Sequence, residues 1–357
     1  MDSMDLYGAV GGRDGCTRLS KAFYARVDRD PLLRPLFPGK SLRCAEEAFA
    51  AFLAQFLGGP AEDAQQRWSL SLRESHARLE IGPRERAAWM RHMVQALEEV
   101  PLEEPVREAL RAWFERGSAY LVNRGVVRAQ EEQGHGQIDG EIARRWDEQR
   151  ALDELVAAIR VGAAGQALEL AGSPTLACRF ARDRAVLAHV LGLMMATDAR
   201  DLLAHVEREL RTDPGLARIH HRFGRTLLHD ASALGNPGMV ELLLGLGADP
   251  NGRTSGGHTP LYSVANECWR GGGGEVVRAL VRAGAEVDAR SDSKQCTALH
   301  MAARRGNVEV AAALVECGAD IHAGDKGGDT PLDRAKNCRK PTVAALLARA
   351  SSAARVP

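Results

Sequence analysis

Four segments in the last third of the chain open alike: Gly224-Arg-Thr-Leu-Leu-His229, Gly257-His-Thr-Pro-Leu-Tyr262, Gln295-Cys-Thr-Ala-Leu-His300 and Gly328-Asp-Thr-Pro-Leu-Asp333. Their threonines stand at 226, 259, 297 and 330, in steps of 33, 38 and 33. A fixed period of this length marks a stacked array, in which each unit is one small motif that buries its apolar face only against its neighbours. Three units then reach a Gly-Ala-Asp-type turn, at Gly247-Ala-Asp249, Gly284-Ala-Glu286 and Gly318-Ala-Asp320. The long middle step has a visible cause: Gly271–Gly274 adds about four residues between the helices of its unit, and one more enters the following loop.

Over residues 224–350 this pattern resembles ankyrin repeats, whose period is about 33 residues. The resemblance implies an α-solenoid that engages a protein partner through its turns and concave face; the partner's identity is not readable. It also makes Thr226, His229, Thr297 and His300 scaffold residues that bond locally and hold helix starts. Tyr262 and Asp333 replace His at that position, and are expected to weaken the local network without changing the fold. Arg184-Ala-Val-Leu-Ala-His189 faintly echoes Arg222-Phe-Gly-Arg-Thr-Leu-Leu-His229, so residues 150–223 are expected to form divergent helical repeats that cap the array. Trp269, beside the glycine insertion, is either core or a binding hot spot.

The first part reads differently. Leu19, Ala22, Phe23 and Val27 form one helical stripe; Ala48, Phe49, Phe52, Leu53 and Phe56 form a second, ending at Gly58-Gly59-Pro60. Trp89, Met90, Met93 and Leu97 make a third, and Ala109, Leu110, Trp113 and Phe114 a fourth. These spacings are those of buried helix faces, and strand-like runs are rare, so the fold class is all-α. A domain is expected over 1–125. A linker is expected over 126–149, where Gln130-Glu-Glu-Gln-Gly-His-Gly-Gln137 is polar and Gly-bearing. A helical pattern resumes near Glu141 and runs through Leu152, Leu155 and Ile159.

Charge excludes some partners. Lys+Arg 47 balances Asp+Glu 47, with no basic block or stripe, so neither nucleic acid nor an anionic membrane is expected. The seven cysteines are scattered and contain no CxxC pair, which fits reduced thiols rather than a disulfide framework or structural zinc. The acidic start, Met-Asp-Ser-Met-Asp, is not a secretory signal. The apolar stretch Val186–Ala196 is too short to cross a bilayer. A cytoplasmic location is expected.

One constellation in the first part carries chemistry. Downstream of His76 stand Ile81, Gly82, Arg86, Trp89 and Met93; upstream lie Phe23-Tyr24 and Asp30-Pro-Leu-Leu-Arg-Pro-Leu-Phe37. Over about residues 6–125 this resembles the second group of truncated haemoglobins, whose proximal pattern His-x-x-x-x-Ile-Gly-x-x-x-Arg-x-x-Trp-x-x-x-Met is matched at every position. The resemblance implies a two-over-two helical sandwich around haem b, with His76 as the iron ligand, in the way one histidine holds haem iron in globins. It implies that Tyr24 donates a hydrogen bond to a bound diatomic ligand, as a phenol in an apolar pocket is able to do. Trp89 would add a second donor, the plain alternative being core packing.

The same resemblance places Phe37 against the porphyrin, where many relatives carry Tyr, so this pocket has one hydroxyl fewer. It puts Ala45 at the distal-gate position, leaving an open side route, and Phe49 on the distal wall. Arg73 and Arg78 flank His76; either is a candidate for a haem propionate, surface exposure being the plain alternative. The function implied is reversible binding of dioxygen, carbon monoxide or nitric oxide, coupled to or localised by the repeats. A haem enzyme that oxidises nitric oxide or reduces peroxide is the alternative. It would need an external reductant, because no Gly-rich dinucleotide fingerprint follows a strand pattern. A scaffold that no longer holds haem is a third reading.

Overall fold

A computed structural model describes residues 5–37, 39, 41–60, 71–124 and 137–353. Among the described residues every regular element is a helix, and none is long and apolar enough to cross a membrane. The chain divides into two compact units, Met1–Asp183 and Arg184–Pro357.

In the first unit, α1 (Leu6–Ala9) leads into α2 (Gly12–Val27), and a short 3-10 turn (Arg34–Leu36) precedes α3 (Arg43–Phe56). Then come α4 (Leu72–His76), α5 (Pro83–Glu99) and α6 (Glu104–Tyr120). Helix α2 packs on α3 and α5, and α5 on α6, giving two helix pairs. The expected stripes are the ones buried: Leu19, Phe23 and Val27 on α2, Leu53 and Phe56 on α3, Met93 and Leu97 on α5, Leu110 and Trp113 on α6. Helix α1 lies so close to α2 that a Cβ at Gly15 would sit 1.8 Å from the Val10 carbonyl oxygen. Only glycine allows that approach.

Gly82 and Pro83 start α5, with the Glu85 carboxylate accepting the Gly82 N–H at 2.9 Å. Asn123 clamps the segment before it. Its side chain accepts from Ile81 N at 2.9 Å and donates to Leu79 O at 2.7 Å.

The linker expected over 126–149 needs correction. From Gln137 it is helix, α7 (Gln137–Arg160); its earlier part, 126–136, lies outside the described residues. Ile142 and Trp146 of α7 are buried in the core of the first unit. That apolar face is why α7 packs on α6 and α4 instead of bridging solvent. Helices α8 (Ala164–Ala171) and α9 (Pro174–Arg182) complete the unit. Residues 150–183, expected among the capping repeats, therefore belong to the first unit.

In the second unit, α10 (Arg184–Met195) and α11 (Arg200–Thr212) precede four helix pairs: α12 (Leu227–Leu234) with α13 (Pro237–Gly245), α14 (Pro260–Glu267) with α15 (Gly273–Arg282), α16 (Ala298–Arg305) with α17 (Val308–Glu316), and α18 (Pro331–Asn337) with α19 (Pro341–Ala353). Helix α10 packs on α12. The long step has the location the sequence indicates: the connection between α14 and α15 spans 268–272, against 235–236 between α12 and α13. Trp269 on that connection is 80% exposed, which removes the core alternative.

Histidines link the repeats. His229 Nδ1 accepts from Thr226 N at 3.1 Å, and its Nε2 donates to His258 O in the next repeat at 3.1 Å. His300 repeats this with Thr297 N at 3.2 Å and Asp329 O at 3.0 Å. Asp333 does not weaken its cap as expected: its carboxylate accepts from Thr330 N at 3.0 Å and from Thr330 Oγ1 at 2.6 Å. Tyr262 does depart, stacking on His258 with ring centroids 4.1 Å apart.

Burial lowers the His229 pKa from 6.5 to about 4. The folded repeat keeps this imidazole neutral, whereas the unfolded chain takes up its proton nearer 6.5. Its contribution to stability is thus complete above that range and is lost as pH falls through it towards 4. Urea unfolding of the full-length chain should show a later-melting repeat unit at about pH 7 than at about pH 5, and His229→Gln should shrink that difference. An equal difference in the variant would show that other groups carry the acid sensitivity.

Candidate functional site

Helices of the first unit enclose a cavity of ≈ 400 Å³, within the range of about 300–1,000 Å³ usual for small-molecule and cofactor sites. Tyr24, Phe37, Ala45, Phe49, His76 and Trp89 all line it. The sequence places these residues on five separate segments, α2, the end of the 3-10 turn after it, α3, α4 and α5, and the fold brings them together. Arg73 is not part of the lining. It is exposed, and its guanidinium lies over the Tyr120 ring, 4.1 Å from the centroid. Arg78 is exposed and also off the cavity.

His76 ends α4, a helix capped by Ser71, whose hydroxyl accepts from Glu74 N at 3.1 Å. The His76 ring is held by Nδ1, 2.8 Å from Leu72 O and 2.9 Å from Ser75 Oγ. A carbonyl only accepts, so the ring proton sits on Nδ1 and the lone pair on Nε2. Ser75 gives its own proton to the same carbonyl, at 2.8 Å. Burial lowers the His76 pKa, which keeps the ring neutral. A neutral imidazole with Nδ1–H bonded and Nε2 bare is the form that ligates a metal.

Much of the cavity lining is aromatic. Tyr24 meets Phe23 edge-on at 5.1 Å between centroids and Phe37 at 5.6 Å. Trp89 lies between Phe23, at 5.0 Å, and Phe114, at 5.6 Å. Burial, and after it the Glu46 carboxylate, push the Tyr24 phenol well above its ordinary pKa. It therefore stays a hydrogen-bond donor at any physiological pH.

His92 has a different task. Its Nε2 bonds the Asp30 carboxylate at 2.6 Å, and Asp30 also accepts from Leu32 N at 2.8 Å and Leu33 N at 3.0 Å. The His92 hydrogen bond, and then the backbone donors, outweigh burial and lower the Asp30 pKa. His92 thus fastens α5 to the turn after α2 and does not line the cavity.

Several lining residues escaped the sequence reading. Trp113 and Phe114 come from α6 and Trp146 from α7. The Trp113 indole N–H is buried with no hydrogen-bond partner among the described residues. Arg86 also lines the cavity, anchored to Ser118 Oγ at 3.1 Å and Glu115 Oε1 at 2.9 Å. The apolar spacing of Ile142 and Trp146 was the available signal for α7. Trp146 packs edge-on against Tyr120 at 5.2 Å and is 8% exposed. Trp146→Ala should cost roughly 3–5 kcal/mol, seen as an earlier urea transition of the first unit; an unmoved transition would show that α7 does not hold the cavity wall.

Comparison with known proteins agrees with this geometry. A family profile described as bacterial-like globin matches residues 5–121. A second, of ankyrin repeats in three copies, matches residues 193–291 and 265–355, and so begins within α10 rather than at residue 224. The chain is 33% identical over 117 residues to "Group 2 truncated hemoglobin YjbI" of Bacillus subtilis (strain 168), spanning 33% of this chain and 87% of that protein. It is 38% identical over 85 residues to the potassium channel KOR2 of Oryza sativa subsp. japonica, 24% of this chain and 12% of the channel. It is 32% identical over 143 residues to a transient receptor potential cation channel subfamily A member 1 homolog of Caenorhabditis elegans, 40% of this chain and 11% of that protein. Both channels are matched over a small part of their length, and nothing of their activity carries over. The chain belongs to the truncated haemoglobin family through residues 5–121 and carries ankyrin repeats over 193–355.

Proposed function

We propose that this protein binds haem b in the cavity of its first unit and there binds dioxygen, carbon monoxide or nitric oxide reversibly, while the repeats engage a protein partner. The observation that carries the reading is His76: a neutral imidazole, its Nδ1–H fixed on Leu72 O, on the wall of an otherwise largely apolar cavity. The lining fits a flat apolar macrocycle with one nitrogen ligand, and the unpartnered Trp113 N–H is a further polar atom that an occupant would satisfy. No cysteine lines the cavity among the described residues, so the group would be held without a thioether bond, as haem b is. When bound, haem supplies an iron centre that coordinates a diatomic molecule reversibly.

The chain's residues divide the remaining work. His76 holds the iron. Phe37 and Phe49 pack on the macrocycle and keep water out. Tyr24 keeps its proton and offers it to the diatomic ligand, with the Trp89 indole as second donor. Ala45 leaves a side route that a larger residue would close. Seven free thiols fit a reducing compartment, the cytoplasm. On the repeats, exposed Trp269, with the Arg270 guanidinium 5.0 Å over its ring, is the side chain suited to anchor a partner.

The full-length chain should take up haem stoichiometrically, His92→Ala should retain it, and a wild type that takes up none would overturn the reading. A hydrogen bond to a ligand that carries charge contributes about 1.5–3 kcal/mol. Tyr24→Phe should therefore speed dioxygen release by roughly tenfold or more in stopped flow. An unchanged rate would remove Tyr24 from the ligand site.

A further inference from the structure

The matched globin segment ends at residue 121, yet the peptide that holds His76 is itself held from beyond it. Asp153, on α7, is 4% exposed. Its carboxylate accepts from Leu72 N at 2.9 Å and from Arg73 N at 3.4 Å, the first amides of α4. Gln149 Nε2 donates to it at 3.0 Å. Arg73 N–H and Leu72 C=O belong to one peptide group. The Asp153 carboxylate bonds one end of that group, and His76 Nδ1–H bonds the other.

We infer that Asp153 is a positioning residue for His76: through the Leu72–Arg73 peptide it fixes the imidazole and raises the electron density at Nε2. The inference rests on the haem reading above and assigns part of the site to a helix outside the matched globin segment. The physics is that of a hydrogen-bond chain. An anion accepting the N–H of an amide polarises it and makes its carbonyl oxygen a stronger acceptor. A stronger acceptor draws the Nδ1 proton further and makes Nε2 a better donor towards a metal, the usual effect of an outer partner on a ligating histidine. Burial matters, because the carboxylate acts across a short path with little water to screen it.

A plain capping role is the competing account, since a carboxylate at a helix start stabilises that helix whatever its last residue does. The two differ in what they move. Asp153→Asn keeps an oxygen for Leu72 N–H but removes the charge. Ser71→Ala removes the local cap of the same helix and leaves Asp153 in place.

The test uses the full-length, haem-loaded protein. It reads the iron–histidine stretching band of the dithionite-reduced form by resonance Raman, together with the rate of haem loss to an apo-globin acceptor. Asp153→Asn should shift the band to lower frequency and speed haem loss about tenfold, while Ser71→Ala leaves the band in place. An unmoved band in Asp153→Asn and Asp153→Ala, with haem bound through His76, overturns this inference and leaves the haem reading standing. Equal shifts in Asp153→Asn and Ser71→Ala also overturn it, in favour of capping alone. A wild type that takes up no haem fails the haem reading itself.

Discussion

The Leu72 carbonyl decides what His76 is able to do. Because a carbonyl only accepts, the imidazole proton is confined to Nδ1 and the lone pair to Nε2. The rest of the first unit serves that arrangement. Ser71 starts the short helix, Ser75 and Asp153 hold its first peptides, and Asn123 clamps the chain behind it. Burial then acts twice in one largely apolar cavity. It lowers the His76 pKa and raises that of Tyr24, so a bare nitrogen and a proton donor line the same cavity.

The second unit uses histidine the other way round. In His229 and His300, Nδ1 faces a backbone N–H and accepts, so the proton moves to Nε2 and is donated to the next repeat. The tautomer follows from the partner: a carbonyl beside Nδ1 frees Nε2 for a metal, while an amide beside Nδ1 turns Nε2 into a structural donor. Asp333, in the fourth helix pair, closes its cap with a carboxylate instead of an imidazole.

Much of this was legible in the chain. The threonine period gives the repeats, and the His76–Met93 pattern points to the cavity through its resemblance to truncated haemoglobins. Of the other lining residues, Phe49 follows from the aromatic stripe on α3, while Tyr24, Phe37 and Ala45 are legible only through the resemblance to truncated haemoglobins. What the chain hides is long-range partnership. The apolar spacing around Ile142 and Trp146 tells of a helix, but not that it packs on α6, and the Gly-bearing stretch before it reads as a break. Asp153 looks like any helix-surface carboxylate until Leu72 is found beside it. Arg73, next to His76 in sequence, is turned away by its stacking on Tyr120.

The most direct test of the central claim is chemical rescue at His76. Full-length protein carrying His76→Gly should lose the reduced and CO-bound Soret spectra of the wild type, and free imidazole should restore them. The added imidazole would occupy the space that the missing side chain leaves. Wild-type spectra in His76→Gly without imidazole, or no response to it in a variant whose unfolding transition is intact, would contradict the account.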